Sequence, residues 1–138
     1  MQADPPSGSD SFHKNVARPV GAKILVVEDE VLISLHLEMI LREMGCVCLG
    51  PCASIAEALA ALELKRPDAV LLDIELADGR ATSVAQALAS QSIPFAVLTG
   101  QAQADLEGAL VNAPILSKPF SVCAVQSMVL RLLAPIGH

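Results

Sequence analysis

The sequence has no tryptophan and no tyrosine, and phenylalanine occurs only three times. Any core it builds must therefore be aliphatic. Positive charge is also scarce: 9 Lys and Arg against 15 Asp and Glu give a net charge of −6, which argues against nonspecific nucleic-acid binding through a basic face. No apolar run approaches the roughly 20 residues of a membrane span. The stretch from Met1 to Asn15 is polar and lacks the apolar segment of a signal peptide. These absences predict a soluble cytoplasmic protein, with neither nucleic acid nor membrane among its partners. Four cysteines, Cys46, Cys48, Cys52 and Cys123, match no standard zinc spacing and have no histidine nearby. They read as core filler, as do Met39, Met44 and Met128.

What is present is a series of short apolar runs separated by amphipathic stretches. A chain of 138 residues is the size of one domain and can bury on the order of two-thirds of its unfolded surface. Residues 1–21, with Pro5, Pro6, Gly8 and three serines, read as a disordered or loosely ordered tail. The domain is then expected over residues 22–135. Strands are predicted at Lys23 to Val27, Val47 to Leu49 (closed by Gly50-Pro51), Asp68 to Leu72, Phe95 to Leu98 and Ile115 to Leu116. Between and after them, helical spacing runs over Glu30 to Met44, Ser54 to Arg66, Thr82 to Ala89 and from Ser121 onward. Ser54 with Glu57 has the capping-box pattern, and Pro67 ends that helix. Gln101 to Asn112 is poorly amphipathic and contains Gly108, so only a short or irregular fourth helix is expected. Strands alternating with helices imply a doubly wound α/β fold with a five-stranded parallel sheet and right-handed crossovers.

In such a sheet every strand ends on the same edge, where ligands of that architecture bind. Ala69-Val70-Leu71-Leu72 ends on Asp73, and Ile24-Leu25-Val26-Val27 ends on Glu28-Asp29. Thr99 and Lys118 also fall at strand ends. A lone acid at such a place can be a helix cap, and an acidic pair can simply favour a helix N-terminus. Together, however, carboxylates that converge repel one another unless a cation lies between them, and a hard ion such as Mg²⁺ suits oxygen ligands. A lysine and a hydroxyl opposite would cradle a phosphoryl group. Asp73 would be the carboxylate that becomes covalently modified.

These pieces, Leu25-Val26-Val27-Glu28-Asp29-Glu30, Leu71-Leu72-Asp73, Leu98-Thr99-Gly100 and Ser117-Lys118-Pro119-Phe120, resemble a response-regulator receiver domain of two-component signalling over about Ala22 to Leu133. The resemblance implies a flavodoxin-like (βα)5 fold with strand order 2-1-3-4-5. It implies that Asp73 accepts a phosphoryl group from a phosphohistidine on a histidine kinase or histidine phosphotransfer protein. Asp29, Asp73 and the backbone carbonyl of Glu75 would ligate Mg²⁺, with Glu28 acting through water. Thr99 and Lys118 would bind the phosphoryl oxygens, together with the backbone N–H groups of Ile74 and Gly100. Pro94-Phe95-Ala96, Thr99-Gly100 and Ala113-Pro114-Ile115-Leu116-Ser117-Lys118-Pro119-Phe120 resemble an alphaproteobacterial receiver group with a Phe-Ala-Thr-Gly-x-Tyr signature, although the tyrosine is missing and Phe95 is displaced. Two further departures concern output. The family's switch aromatic, three residues before the lysine, is replaced by Ile115, and the loop after Asp73 lacks the usual proline four residues on.

The expected function is that of a single-domain response regulator, not an enzyme in the turnover sense. It would serve as a phosphorelay member, a phosphate sink or a phosphorylation-dependent partner switch, and be monomeric or a phosphorylation-dependent homodimer. Ile115 motivates an alternative, a receiver that binds partners independently of phosphorylation through its first or last helix. A small hydrolase with a nucleophilic Asp73 and a second acid at Glu75 is a third reading, disfavoured by the acidic pair at Glu28-Asp29.

Overall fold

The computed structural model describes residues 19–100, 106 and 108–134. Most of the expected tail, residues 1–18, and part of the expected irregular helix, residues 101–105 and 107, lie outside the described residues. The elements in chain order are β1 (Lys23–Val27), α1 (Val31–Glu43), β2 (Val47–Cys52), α2 (Ile55–Leu64), β3 (Ala69–Asp73), β4 (Glu75–Leu76), β5 (Gly79–Arg80), α3 (Thr82–Ser90), β6 (Phe95–Thr99), a 3-10 turn (Gly108–Leu110), β7 (Ile115–Ser117) and α4 (Val122–Leu133). Five strands form one parallel sheet in the order β2-β1-β3-β6-β7. That is the flavodoxin-like order, renumbered because β4 and β5 pair separately as an antiparallel hairpin between β3 and α3.

The apolar runs form strands because the sheet is covered on both faces. Alternate residues divide cleanly between two cores. Leu25, Val27, Val70, Leu72 and Val97 pack with Ala58, Leu62, Val84, Ala85 and Leu88 of α2 and α3. Ile24, Val26, Leu71, Ala96 and Leu98 pack with Leu37, Ile40, Leu41, Val125 and Val129 of α1 and α4. All of these side chains are aliphatic, as the aromatic-poor composition requires.

Several local expectations need correction. β2 does not close at Gly50-Pro51 but continues through it to Cys52, with a register irregularity against Leu25 and Val27. Gly50 permits this: its φ is +85°, and a Cβ there would lie 2.8 Å from the Val26 carbonyl oxygen. Helix α2 stops at Leu64, short of Arg66. Its start is as expected: the Ser54 hydroxyl accepts from the Glu57 N–H at 3.1 Å. The Glu57 carboxylate reaches back to the Ala53 N–H at 2.8 Å. Ser121 caps α4 in the same way through the Ala124 N–H. Met39 is exposed, not core filler, and Cys123 is exposed on the first turn of α4. Helix α1 buries Ser34, Leu37, Ile40 and Leu41 but leaves Val31, Leu32 and Leu35 in solvent. No helix of the described residues is long and apolar enough to cross a membrane.

Candidate functional site

Strand register brings the site together. Val27 of β1 pairs with Leu72 of β3, so the next residues, Glu28 and Asp73, leave the sheet side by side. Thr99 pairs with Ser117, and the Lys118 N–H donates to the Thr99 carbonyl at 2.8 Å. Glu28, Asp73 and Lys118 also continue the alternation of Val26, Leu71 and Leu116, residues of the core under α1 and α4. A period of two therefore aims all three side chains to the same side of the sheet edge. The end of β1 is fixed by the Glu28 N–H, which donates to the Cys52 carbonyl at 2.9 Å.

The result is a buried ionic cluster. Lys118 Nζ lies 3.0 Å from Glu28 Oε1 and 3.5 Å from Asp73 Oδ1. Glu28, Asp73 and Thr99 are buried, while Asp29 is exposed at the rim. One ligand oxygen each from Glu28, Asp29 and Asp73 falls within 4.8 Å of the others. Glu28 Oε1 is buried without a hydrogen bond of regular geometry, and its other oxygen accepts from the Glu30 N–H at 3.1 Å, at the start of α1. Burial, reinforced by the Glu28 charge, pushes the Asp73 carboxyl up to about 7, and Lys118 pulls against the rise. For Lys118, burial works to lower the pKa, but the hydrogen bond to Glu28 and the charges of Asp73, Glu28 and Glu30 outweigh it and hold the ammonium above its usual value. Three acids sharing one lysine are short of positive charge, and their oxygens fit a hard divalent cation.

A cavity of about 630 Å³ opens over this cluster, lined by Asp29, Glu30, Asp73, Ile74, Glu75, Leu76, Arg80, Thr99, Gly100 and Lys118. Of the residues singled out from the sequence, Asp29, Asp73, Ile74, Glu75, Thr99, Gly100 and Lys118 line it. Glu28 lies beneath, beside Lys118. Gly100 has nothing within 4 Å of where a Cβ would stand. The Ile74 N–H, assigned from the resemblance to the phosphoryl group, makes a long 3.4 Å bond to the Leu98 carbonyl. Ile115 is half-buried on β7 and borders a different groove, beside α4. Sequence reasoning missed Arg80. The signal was present: Asp78-Gly79 is a turn signal, and Glu75 and Arg80 stand on either side of it with opposite charges.

The whole sheet matches the response regulator receiver domain over residues 24–129. The chain belongs to that family. This receiver is 35% identical to the transcriptional regulatory protein PdtaR of Mycobacterium tuberculosis over 107 residues, which cover 75% of the chain and 52% of PdtaR. It spans about half the length of the curated relatives it matches. Among solved structures, SdrG from Sphingomonas melonis Fr1 superposes with a TM-score of 0.72 at 36% identity, over 83% of this chain and 98% of that one. The receiver domain of sensor histidine kinase PA1611 from Pseudomonas aeruginosa PAO1, which holds a magnesium ion in its active-site cleft, gives 0.73 at 27% identity, over 83% and 98%. Receivers are regulatory domains that take phosphoryl groups from donors such as histidine kinases, and Mg²⁺ binding is typical of them.

Proposed function

We propose that Asp73 accepts a phosphoryl group from a phosphohistidine on a histidine kinase or histidine phosphotransfer protein, and that the receiver then acts as a relay member, sink or partner switch. The observation that carries this is the convergence of Glu28, Asp29 and Asp73 within 4.8 Å, with Lys118 Nζ at 3.0 and 3.5 Å from two of them. In the transfer the P–N bond to the donor imidazole breaks and a P–O bond to an Asp73 carboxylate oxygen forms. Such chemistry asks the protein for positioning and charge balance more than for proton transfer. Asp73 is held at the strand end by its backbone pairing, so its carboxylate is pre-aimed into the cavity. Lys118 and Thr99, which line the cavity with Gly100 and Ile74, would bind the phosphoryl oxygens, joined by the Gly100 and Ile74 N–H groups. Asp29, Asp73 and the Glu75 carbonyl would hold Mg²⁺, with Glu28 behind them. The ion would supply the neutralising charge that lets an anionic donor approach anionic acids.

The donor's docking face is the exposed side of α1. Val31, Leu32, Leu35 and Met39 are 48–81% exposed, and Leu32 shares a cleft with Lys118, Pro119 and Phe120 beside the site. A protein whose phosphohistidine reaches Asp73 must cover the surface next to it, and an apolar stripe at helical spacing suits a helical partner.

Incubation with a phosphorylated histidine phosphotransfer protein tests this reading. Label is expected to move to the receiver and to be lost in Asp73→Asn. Label that persists in Asp73→Asn would overturn it.

A further inference from the structure

One cation of the cavity does not come from a strand end of the main sheet. Arg80, on β5, sits directly across the hairpin from Glu75, with its Nη1 3.1 Å from Glu75 Oε2. Both line the same cavity as Asp73, Thr99 and Lys118. We propose that Arg80 is a phosphoryl-contacting residue of this receiver: Glu75 holds its guanidinium aside while Asp73 is free, and the guanidinium moves onto a phosphoryl oxygen as the group arrives. The inference rests on Asp73 being the phosphoacceptor.

Three features support it. The first is charge. Lys118 already faces both Glu28 and Asp73, and conversion of the Asp73 carboxylate to an acyl phosphate adds negative charge that this lysine must then share. Arg80 is a second cation at the same cavity. The second is the weakness of the resting pair. The Glu75 side chain is 74% exposed, so its hold on Arg80 is screened by solvent. A phosphoryl group offers a denser anion that a guanidinium can grip through two N–H donors.

The third is a rigid platform. The Ala81 N–H donates to the Ile74 carbonyl at 2.7 Å, closing the base of the hairpin. At its tip, Asp78 accepts from the Ile55 N–H at 2.7 Å and the Ala56 N–H at 3.3 Å. These bonds hold the Asp78 carboxyl below the usual carboxylate range, the Ile55 bond foremost. The backbone under Arg80 is thus tied to β3 and α2, and only side-chain torsions need change.

The test is the rate at which acetyl phosphate, with Mg²⁺, phosphorylates five proteins: unaltered, Arg80→Gln, Arg80→Lys, Glu75→Gln and the double variant of Glu75→Gln with Arg80→Gln. In each reaction a P–O bond of acetyl phosphate breaks, acetate leaves, and a P–O bond to Asp73 forms. Arg80→Gln is expected to slow the reaction roughly five- to tenfold, the scale of one partly exposed charge-assisted contact. Glu75→Gln removes the Glu75 hold on the guanidinium and is expected to speed it by a smaller factor. The double variant should match Arg80→Gln alone, because Glu75 acts through Arg80. Arg80→Lys, which keeps the charge without the fork, should fall between. Rates unchanged by Arg80→Gln, or a Glu75→Gln gain that survives in the double variant, would overturn the inference while leaving Asp73 as acceptor. An unaltered protein that takes up no phosphoryl group would overturn the reading of Asp73, and this inference with it.

Discussion

Two ion pairs flank the same cavity and differ in nearly everything else. Lys118 meets Glu28 and Asp73 with side chains 18%, 0% and 9% exposed. Arg80 meets Glu75 at 3.1 Å with side chains 33% and 74% exposed. The first set stands on three parallel strands whose register the two cores dictate. The second stands on a hairpin of two-residue strands at the rim. Burial makes the lysine cluster costly to break, because each charge has given up its water. Exposure makes the arginine pair cheap to exchange. On the proposed reading the two have different roles: the buried cluster positions the acceptor, and the rim pair supplies a charge that responds when the acceptor changes.

The sharpest way to break this contrast is Lys118→Ala. Without the ammonium, Glu28 and Asp73 are left as adjacent buried acids, and the metal-free protein is expected to lose about 3 kcal/mol in urea unfolding. A loss within about 0.5 kcal/mol would mean the cluster is solvated like the hairpin pair. Asp73→Asn should do the reverse. It removes one of the repelling acids while Lys118 keeps Glu28, so the metal-free protein should gain about 1 kcal/mol.

The same repulsion sets a pH dependence. The Asp73 carboxyl titrates near 7 in the fold and near 3.9 when unfolded, so between these values the folded chain binds the extra proton. Its contribution to stability is therefore greatest at the acid end and is lost as pH rises from about 4 through 7. Asp73→Asn should flatten that part of a metal-free stability profile. A profile the same in both proteins would contradict the raised pKa.

Smaller effects are expected at the rim and on α1. Arg80→Ala should change stability by less than about 0.5 kcal/mol, and less still in high salt. Leu35→Asp, on the exposed side of α1, should also leave stability within about 0.5 kcal/mol. It should nevertheless slow phosphoryl transfer from a histidine phosphotransfer protein and leave the acetyl phosphate reaction unchanged. Equal slowing with both donors would remove α1 as the docking face.

The buried half of this comparison is the half that sequence reveals. A strand covered on both faces must be apolar throughout, so Val70-Leu71-Leu72 and Ile24 to Val27 stand out, and the acids that end them mark the sheet edge. The exposed half leaves weaker traces. Two-residue strands have no periodicity, so Glu75–Leu76 and Gly79–Arg80 read only as a loop with a turn signal, and Arg80 went unnoticed. Helical spacing in α1 shows apolar residues but not which of them face solvent, since Leu32 and Leu37 look alike until the sheet is placed. Gly50-Pro51 looked like a stop because the chain's need for a positive φ against the Val26 carbonyl appears only with β1 beside it.

The most direct test of the account is the intact mass of the protein after acetyl phosphate treatment, with and without Mg²⁺. A gain of one phosphoryl group that requires Mg²⁺ and disappears in Asp73→Asn is the predicted result. No gain under either condition, or a gain that survives in Asp73→Asn, would contradict the assignment of Asp73 as the phosphoacceptor.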